Sequence, residues 1–253
     1  MYAAERQQRI MVQARQDGRV EVSGLAEALG VTPETVRRDL TALERRGSVR
    51  RVHGGAIPVD RLEVEPTLAA RTTRLTAQKR RIAQRALEEL PGEGAIILDS
   101  GSTTLAVADL LPAETALTVL TNSVTAAARL STRPGINLYL IGGRIRGITE
   151  AAVGEWALSA LRDITVDVAF LGTNGFSAAR GLTTPDQSEA LVKRAMVGAA
   201  RRSIALADST KSGDDHLHRF ADLDDIDLLI TDTDLDADVA AEITTLGPDV
   251  VLA

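Results

Sequence analysis

A chain of 253 residues with 44% hydrophobic and 25% charged residues has the balance of a folded protein of two domains and excludes extensive disorder. Its net charge of −6, taken whole, speaks against a polyanion partner, and zero cysteines exclude disulfides, thiolate metal sites and cysteine nucleophiles. Three histidines, His53, His216 and His218, leave too few ligands for zinc, so no metal site is expected; His216 and His218 read as a solvated loop beside Asp214 and Asp215.

The charge is unevenly spread. Residues 1–60 carry net +2 and the remainder net −8, the asymmetry expected when only a basic head meets nucleic acid. The polar opening MYAAERQQRI, and the lack of an apolar run near the ~18 residues of a membrane span, predict an unexported, cytoplasmic protein.

In the head, residues 4–17 form an amphipathic helix that Gly18 ends. Residues 19–22 alternate like a short strand, Ser23 is a candidate N-cap for the brief helix GLAEAL, and Gly30 supplies a turn. Thr32 then caps and Pro33 opens PETVRRDLTALERR, with Val36, Leu40 and Leu43 on its buried stripe. Two helices across a tight glycine turn form a helix-turn-helix, and the N-terminal half of the second is the part that reaches base edges. The run SVRRVHGGAIPV alternates around a His-Gly-Gly turn and predicts a β-hairpin wing. Candidate DNA contacts are therefore Ser23, Thr32, Glu34, Thr35, Arg37, Arg38 and Thr41 on the helices, with Arg50, Arg51 and His53 on the wing. Aromatic residues at 2% provide no stacking platform, which favours double-stranded over single-stranded DNA.

Residues 58–76 contain Pro58 and Pro66 and no clear period, and read as a linker between a head at 1–57 and a body at 77–253. Thr76 is expected to cap AQKRRIAQRALEEL, whose Lys79, Arg80, Arg81 and Arg85 form a basic face that either brushes DNA or, the favoured reading, is solvated with Arg85 paired to Glu89. In the body, apolar β-branched runs (AIILDSG, LTVLTN, INLYLIGG, VDVAFLGTNG, SIALADST, IDLLITD, DVVLA) alternate with helical stretches. That pattern predicts an α/β domain with a parallel or mixed sheet covered on both faces.

Ligands of such sheets collect beyond the C-terminal strand ends, and small polar residues recur there. Asp99-Ser100-Gly101-Ser102-Thr103-Thr104 opens a helix after the first strand, where backbone N–H groups, helix dipole and hydroxyls suit an anion. Asn122 and Ser123, Gly143 and Arg144, Thr173, Asn174 and Gly175, and Asp208 and Lys211 follow four further strands. Each has a plainer competing role: Ser102 or Asp208 as a cap, Gly143 as a turn. Their recurrence on one sheet edge favours a pocket for a hydroxylated phosphate ester. The stretch GLTTPDQSEALVKRAM adds Thr184, Asp186, Glu189 and Lys193. Glu189 and Lys193 are either a helix-surface ion pair at i, i+4 or contacts to sugar hydroxyls and phosphate.

TPETVRRDLTALERRG followed by VRRVHGGA resembles the N-terminal signature of the DeoR family of bacterial repressors of carbohydrate metabolism, and the likeness runs through the body. The resemblance implies a winged helix-turn-helix followed by a sensor domain similar in fold to ribose-phosphate isomerases and coenzyme A transferases. It implies that DSGSTT, TNS, GG with a basic residue, GTNG, the TTPD-E-K region and DSTK line a phosphosugar pocket. Phosphate is then held by residues 100–104 and Lys211, and hydroxyls are met by Asp99, Asn122, Asn174, Asp208 and Glu189. The expected protein is a homodimeric or homotetrameric repressor without cofactor or catalytic residues, bound to operator DNA and released by a phosphorylated sugar, with fructose 1-phosphate or a related hexose phosphate first. The rival is a sugar-phosphate isomerase with an appended DNA-binding head, with Asp99, Glu189, Asp208 and Lys193 as its acid–base groups.

Overall fold

The computed structural model describes residues 3–45, 48–52, 54–58 and 65–253, which fall into two compact units, Met1–Glu65 and Pro66–Ala253. Among the described residues no helix is long and apolar enough to cross a membrane.

In the first unit, α1 (Ala3–Asp17) leads through β1 (Val20–Glu21) into α2 (Val22–Leu29), α3 (Pro33–Arg45) and the hairpin β2 (Val49–Val52) and β3 (Gly55–Pro58). Ile10 and Ala14 of α1, Leu25 of α2, and Val36, Leu40 and Leu43 of α3 share one core, so the stripe expected on α3 is the buried one. Gly30, left-handed at φ 63°, ends α2 and turns the chain into α3. Thr32 accepts a hydrogen bond from the Thr35 N–H at 3.3 Å, as a cap should. Ser23 is not a cap: α2 begins one residue earlier, at Val22, with Glu21 in the capping position. The cause is tertiary, since Val20 and Glu21 are paired to Ala56 and Gly55 of the wing and the helix starts as soon as that pairing ends. Order β1-β3-β2 makes the wing the larger part of a three-stranded antiparallel sheet, with Gly54 at φ 73° in its turn. His53 lies outside the described residues.

The second unit opens with α4 (Leu68–Thr72) and α5 (Thr76–Ala86). The stretch expected to be a linker thus joins the second unit from Pro66 and contains a helix, too short at five residues to show a period. Thr76 is the first helical residue and not a cap; Leu75 holds the cap position at φ 51°. Seven strands form one parallel sheet: β4 (Ala95–Leu98), β5 (Leu117–Thr121), β6 (Ile136–Leu140), β9 (Val166–Gly172), β12 (Ala200–Leu206), β14 (Leu228–Thr231) and β15 (Asp249–Leu252). They are the seven apolar runs of the sequence. Helices α6 (Ser102–Leu110) and α7 (Val124–Leu130) help cover one face. On the other lie α8 (Glu155–Leu161), α9 (Gln187–Gly198) and α10 (Ala237–Thr244). A hairpin of β7 (Arg144–Arg146) and β8 (Ala151–Val153), and a small antiparallel sheet of β10 (Gly175–Ser177), β11 (Gly181–Thr184) and β13 (His218–Ala221), stand beside it.

The strand order β15-β14-β12-β9-β4-β5-β6 is what positions a site. From β4 the chain builds outward through β5 and β6, and from β9 it builds the other way through β12, β14 and β15. The connections therefore diverge at the β4–β9 pair and leave a crevice beyond its C-terminal end.

Gly175 and Gly143 have structural reasons to be glycine. A Cβ on Gly175 would lie 1.6 Å from the Asp214 carbonyl oxygen, and one on Gly143, at φ 150°, would lie 2.7 Å from that of Val153. Because backbone must move to admit it, Gly175→Ala is expected to lower the stability of the second unit by ~2 kcal/mol or more, read as a reduced urea midpoint.

Candidate functional site

In the first unit Arg37, Arg38, Glu34 and Thr32 are exposed at the N-terminal half of α3, with Thr35 and Thr41 partly so. Arg37 pairs loosely with Glu34 at 3.3 Å on the open surface, an interaction weak enough for a phosphate or base to replace. The wing is held beside this helix by named contacts. The Arg51 N–H donates to Glu44 at 3.0 Å and its guanidinium reaches the Thr41 hydroxyl at 3.4 Å, while Arg50 is half-buried and Arg51 exposed. Ser23 is exposed near the start of α2. The helix itself is fixed from behind by Asp39, which accepts from Arg6 and, at 3.0 Å, from Gln7 on α1. Sequence periodicity places Asp39 on the stripe of Val36, Leu40 and Leu43, but only its partners on α1 show why an acid belongs there.

In the second unit the crevice is built around Asp99, which follows β4 and is 1% exposed. Its Oδ2 accepts from Lys193 Nζ of α9 and from the Gly172 N–H, at 3.0 Å, at the end of β9. Lys193 also donates to the Gly172 carbonyl at 2.9 Å and stands 5.5 Å from the centre of the Phe220 ring. The other carboxylate oxygen of Asp99, Oδ1, is buried with no hydrogen-bond partner among the described residues. Next to it the Ser100 N–H donates to Asn122 Oδ1 at 3.0 Å, and Asn122 Nδ2 is anchored on the Ala152 carbonyl of β8 at 3.2 Å. Gly101 precedes α6, whose first turn holds Ser102, half-buried, and Thr103 and Thr104, both buried. The backbone N–H groups of such a turn lack intrahelical partners and carry the positive end of the helix dipole. Thr104 spends its hydroxyl on the Gly101 carbonyl.

Glu189 and Lys193, four apart on α9 and both 3% exposed, do not pair with each other. Lys193 goes to Asp99, whereas Glu189 accepts from Thr149 and, at 3.3 Å, from Arg146. The surface ion pair open in the sequence is thus replaced by two buried ones. Arg146 also meets Asp186 at 3.2 Å, and Asp186 caps α9 through the Glu189 N–H. Neither Arg146 nor Thr149 stands out in the sequence.

The remaining expected residues divide in role. Asn174 accepts from Thr184 at 3.1 Å, and both are buried. Thr173 bonds the Gly175 and Thr183 carbonyls and holds a turn, Ser123 caps α7, and Arg144 is exposed with a long contact to Ser188. Ser102 is the first residue of its helix and not its cap. Asp208 is buried beyond β12 and accepts from Thr210, with Lys211 half-buried beside it.

Residues 6–61 match the DeoR-like helix-turn-helix domain and residues 74–233 match the DeoR C terminal sensor domain. The chain belongs to the DeoR family of transcriptional regulators. It is 40% identical to the HTH-type transcriptional regulator GlpR of Haloferax volcanii, over 99% of this chain and 98% of that protein. It is 34% identical to a putative aga operon transcriptional repressor of Escherichia coli O157:H7 (98% and 93%), and equally to the HTH-type transcriptional repressor GlcR of Bacillus subtilis (92% and 89%). Among solved structures, ribose 5-phosphate isomerase A of Neisseria gonorrhoeae aligns at 17% identity over 53% of this chain and 52% of that one, with TM-score 0.38.

One residue of this DeoR-family regulator was misplaced by its neighbours in sequence. Lys79, expected on a solvated basic face, is 6% exposed and donates to the Arg71 and Arg74 carbonyls, each at 2.6 Å. Burial pushes its ammonium down to about 8. Asp208 opposes that shift, while Lys211, Arg71 and Arg74 add to it. Arg85, by contrast, pairs with Glu89 at 2.6 Å as anticipated.

Lys193→Met, which strands the Asp99 carboxylate, is expected to cost about 3–5 kcal/mol in denaturant unfolding, and the double change with Asp99→Asn less than the sum of the single ones. Between pH 8 and 10.5 the folded chain holds fewer protons at Lys79 than the unfolded chain does, so this residue makes stability rise with pH across that window. Lys79→Met is expected to flatten that rise in urea titrations at stepped pH.

Proposed function

We propose that the chain is a repressor of sugar uptake or catabolism genes that leaves its operator when a phosphorylated sugar occupies the crevice beyond β4 and β9. The observation that carries this reading is Asp99. A carboxylate oxygen sealed from water and left without a donor costs about 1–3 kcal/mol, and a ligand hydroxyl that donates into it recovers that cost. The geometry suits one ligand with two chemically different ends. Hydroxyls meet Asp99, Asn122, Asn174 and Asp208, with Glu189 further along, and a phosphate sits over the first turn of α6 against residues 100–104 and Lys211. Fructose 1-phosphate or a related hexose phosphate is the first candidate, and neither a metal nor a cofactor belongs to the proposal.

The DNA end is the exposed half of α3 with the wing. One recognition helix covers a short footprint, so two or four copies reading repeated half-sites in the cytoplasm supply the needed affinity. The names of the relatives, regulators and repressors throughout, support regulation over catalysis. Incubation with pentose and hexose phosphates is accordingly expected to give no turnover.

A thermal-stability panel of sugar phosphates identifies the effector, since a ligand at a hundredfold its Kd adds about 2.7 kcal/mol. Arg37→Ala and Arg38→Ala are each expected to weaken operator binding by about 1–3 kcal/mol in fluorescence anisotropy while leaving that stabilisation intact. Lys211→Ala is expected to keep operator binding and lose release by sugar phosphate; normal release from that variant would place the phosphate elsewhere.

A further inference from the structure

The ten residues that open the second unit, 66–75, are tied to both sides of the crevice. On one side the Leu68 N–H donates to the Ile148 carbonyl at 2.7 Å, with Leu68 itself 3% exposed. Ile148 lies in the β7–β8 hairpin, which is bound to the end of β5 by the Ser123–Ala151 bridge and by the Ala152 N–H on the Asn122 carbonyl at 2.8 Å. On the other side the Arg71 and Arg74 carbonyls are held by Lys79 of α5, a helix that packs on β12 and β14. In the sheet order β12-β9-β4-β5, the β4–β9 crevice lies between these two anchors. Helix α4, in the middle of the segment, packs on α6, the helix that the Asp99 loop opens. Residues 66–75 are thus a strap attached on the β5 side of the crevice and, through α5, on the β12 side.

The strap adds charge as well as cover. Arg71 is half-buried within it and Arg74 exposed, and with Lys211 they put three further cations near Lys79, against the carboxylates of Asp208 and of Asp232, which accepts from the Ser209 N–H at 2.8 Å. Resting on the effector reading above, we propose that the strap is part of the binding site, with the Arg71 guanidinium as a direct ligand of the effector's phosphate. Its planar fork of donors matches phosphate oxygens. An anion there removes the mutual repulsion of the four cations, so occupancy and the packing of the strap favour each other. The strap follows Glu65, the last residue of the DNA-binding unit, without a break in the chain. Occupancy of the crevice is thereby felt at the point where the two units are joined.

The test is hydrogen–deuterium exchange on the full chain with fructose 1-phosphate, glucose 6-phosphate, inorganic phosphate and unphosphorylated fructose, together with affinities of Arg71→Ala from thermal shift. The proposal expects amides in 66–75 to slow along with those in 99–104 for the phosphorylated ligand that binds. It also expects Arg71→Ala to weaken that ligand by about ten- to a hundredfold. Protection confined to 99–104, or an Arg71→Ala affinity equal to that of the unaltered chain, overturns the strap as a ligand and leaves the effector reading standing. Protection at neither segment with any phosphorylated ligand overturns both. Should Arg71→Ala fail to fold, the exchange pattern of the unaltered chain still decides.

Discussion

The second unit depends on the pairing of Lys193 with Asp99. Two parallel halves of a sheet diverge at β4 and β9, and divergence leaves a polar-lined gap that apolar side chains cannot close. A lysine from α9 enters that gap and spends its donors on a carboxylate beyond β4 and a carbonyl at the end of β9, so one ammonium ties both halves to the helix above them. Two charges withdrawn from water recover little net stability, which makes the pair weak evidence for a purely structural role. Its consequence for chemistry is more specific: Asp99 is locked by one oxygen, while the other is buried without a donor among the described residues.

That arrangement also shows how a body of net charge −8 can still gather cations at one edge of its sheet. Net charge governs long-range encounter, whereas a ligand in a crevice feels the few groups within a Debye length, ~8–10 Å, and those buried from solvent most of all. Lys79, Lys193 and Lys211 all come to the C-terminal edge of the sheet, drawn from a helix before β4, a helix before β12 and a turn after it. Acidic residues elsewhere on the surface do not cancel them. In the head the order is reversed: Arg37 and Arg38 on α3 and Arg51 on the wing face solvent openly, and an extended polyanion can reach them.

Much of this was legible in the sequence, for identifiable reasons. All seven sheet strands announce themselves as apolar β-branched runs because a parallel sheet buries both faces, and the polar loops after them mark the edge where ligands bind. The recognition helix is marked by local chemistry, a capping threonine, a proline and a glycine turn. The misreadings have a common origin in tertiary contact. Ser23 and Thr76 are plausible caps by composition, but strand pairing starts α2 at Val22, and Leu75 takes the cap of α5 in a left-handed conformation. Glu189 and Lys193 fit a surface pair at i, i+4 and are instead drawn inward by partners 40 and 94 residues away in the chain. Lys79 stands three, four and seven residues before Ile82, Ala83 and Ala86, so its spacing puts it on the apolar face of α5, but only the Arg71 and Arg74 carbonyls account for a cation there. Asp39, Arg146 and Thr149 are seen only once distant elements meet.

A ligand moves an equilibrium only by the difference in its affinity for two states, and a regulator needs about 1–3 kcal/mol of such difference to change DNA affinity several-fold to a hundredfold. Contacts made wholly within the rigid sheet edge cannot supply it, because they are the same whether the head is on or off the operator. The difference must come from contacts to a part that can rearrange. Asp99 and Lys193 are buried and hydrogen-bonded to each other, and Asn122 is fixed by the Ser100 N–H and the Ala152 carbonyl, so in the proposed site contacts to these three favour neither state. A single charge-assisted hydrogen bond from a segment that continues into the head is worth about 1.5–3 kcal/mol, which covers the requirement. Under the proposed reading recognition and transmission are separate: the sheet edge would select the sugar, and the charge on the phosphate would act on the chain segment that follows the DNA-binding unit.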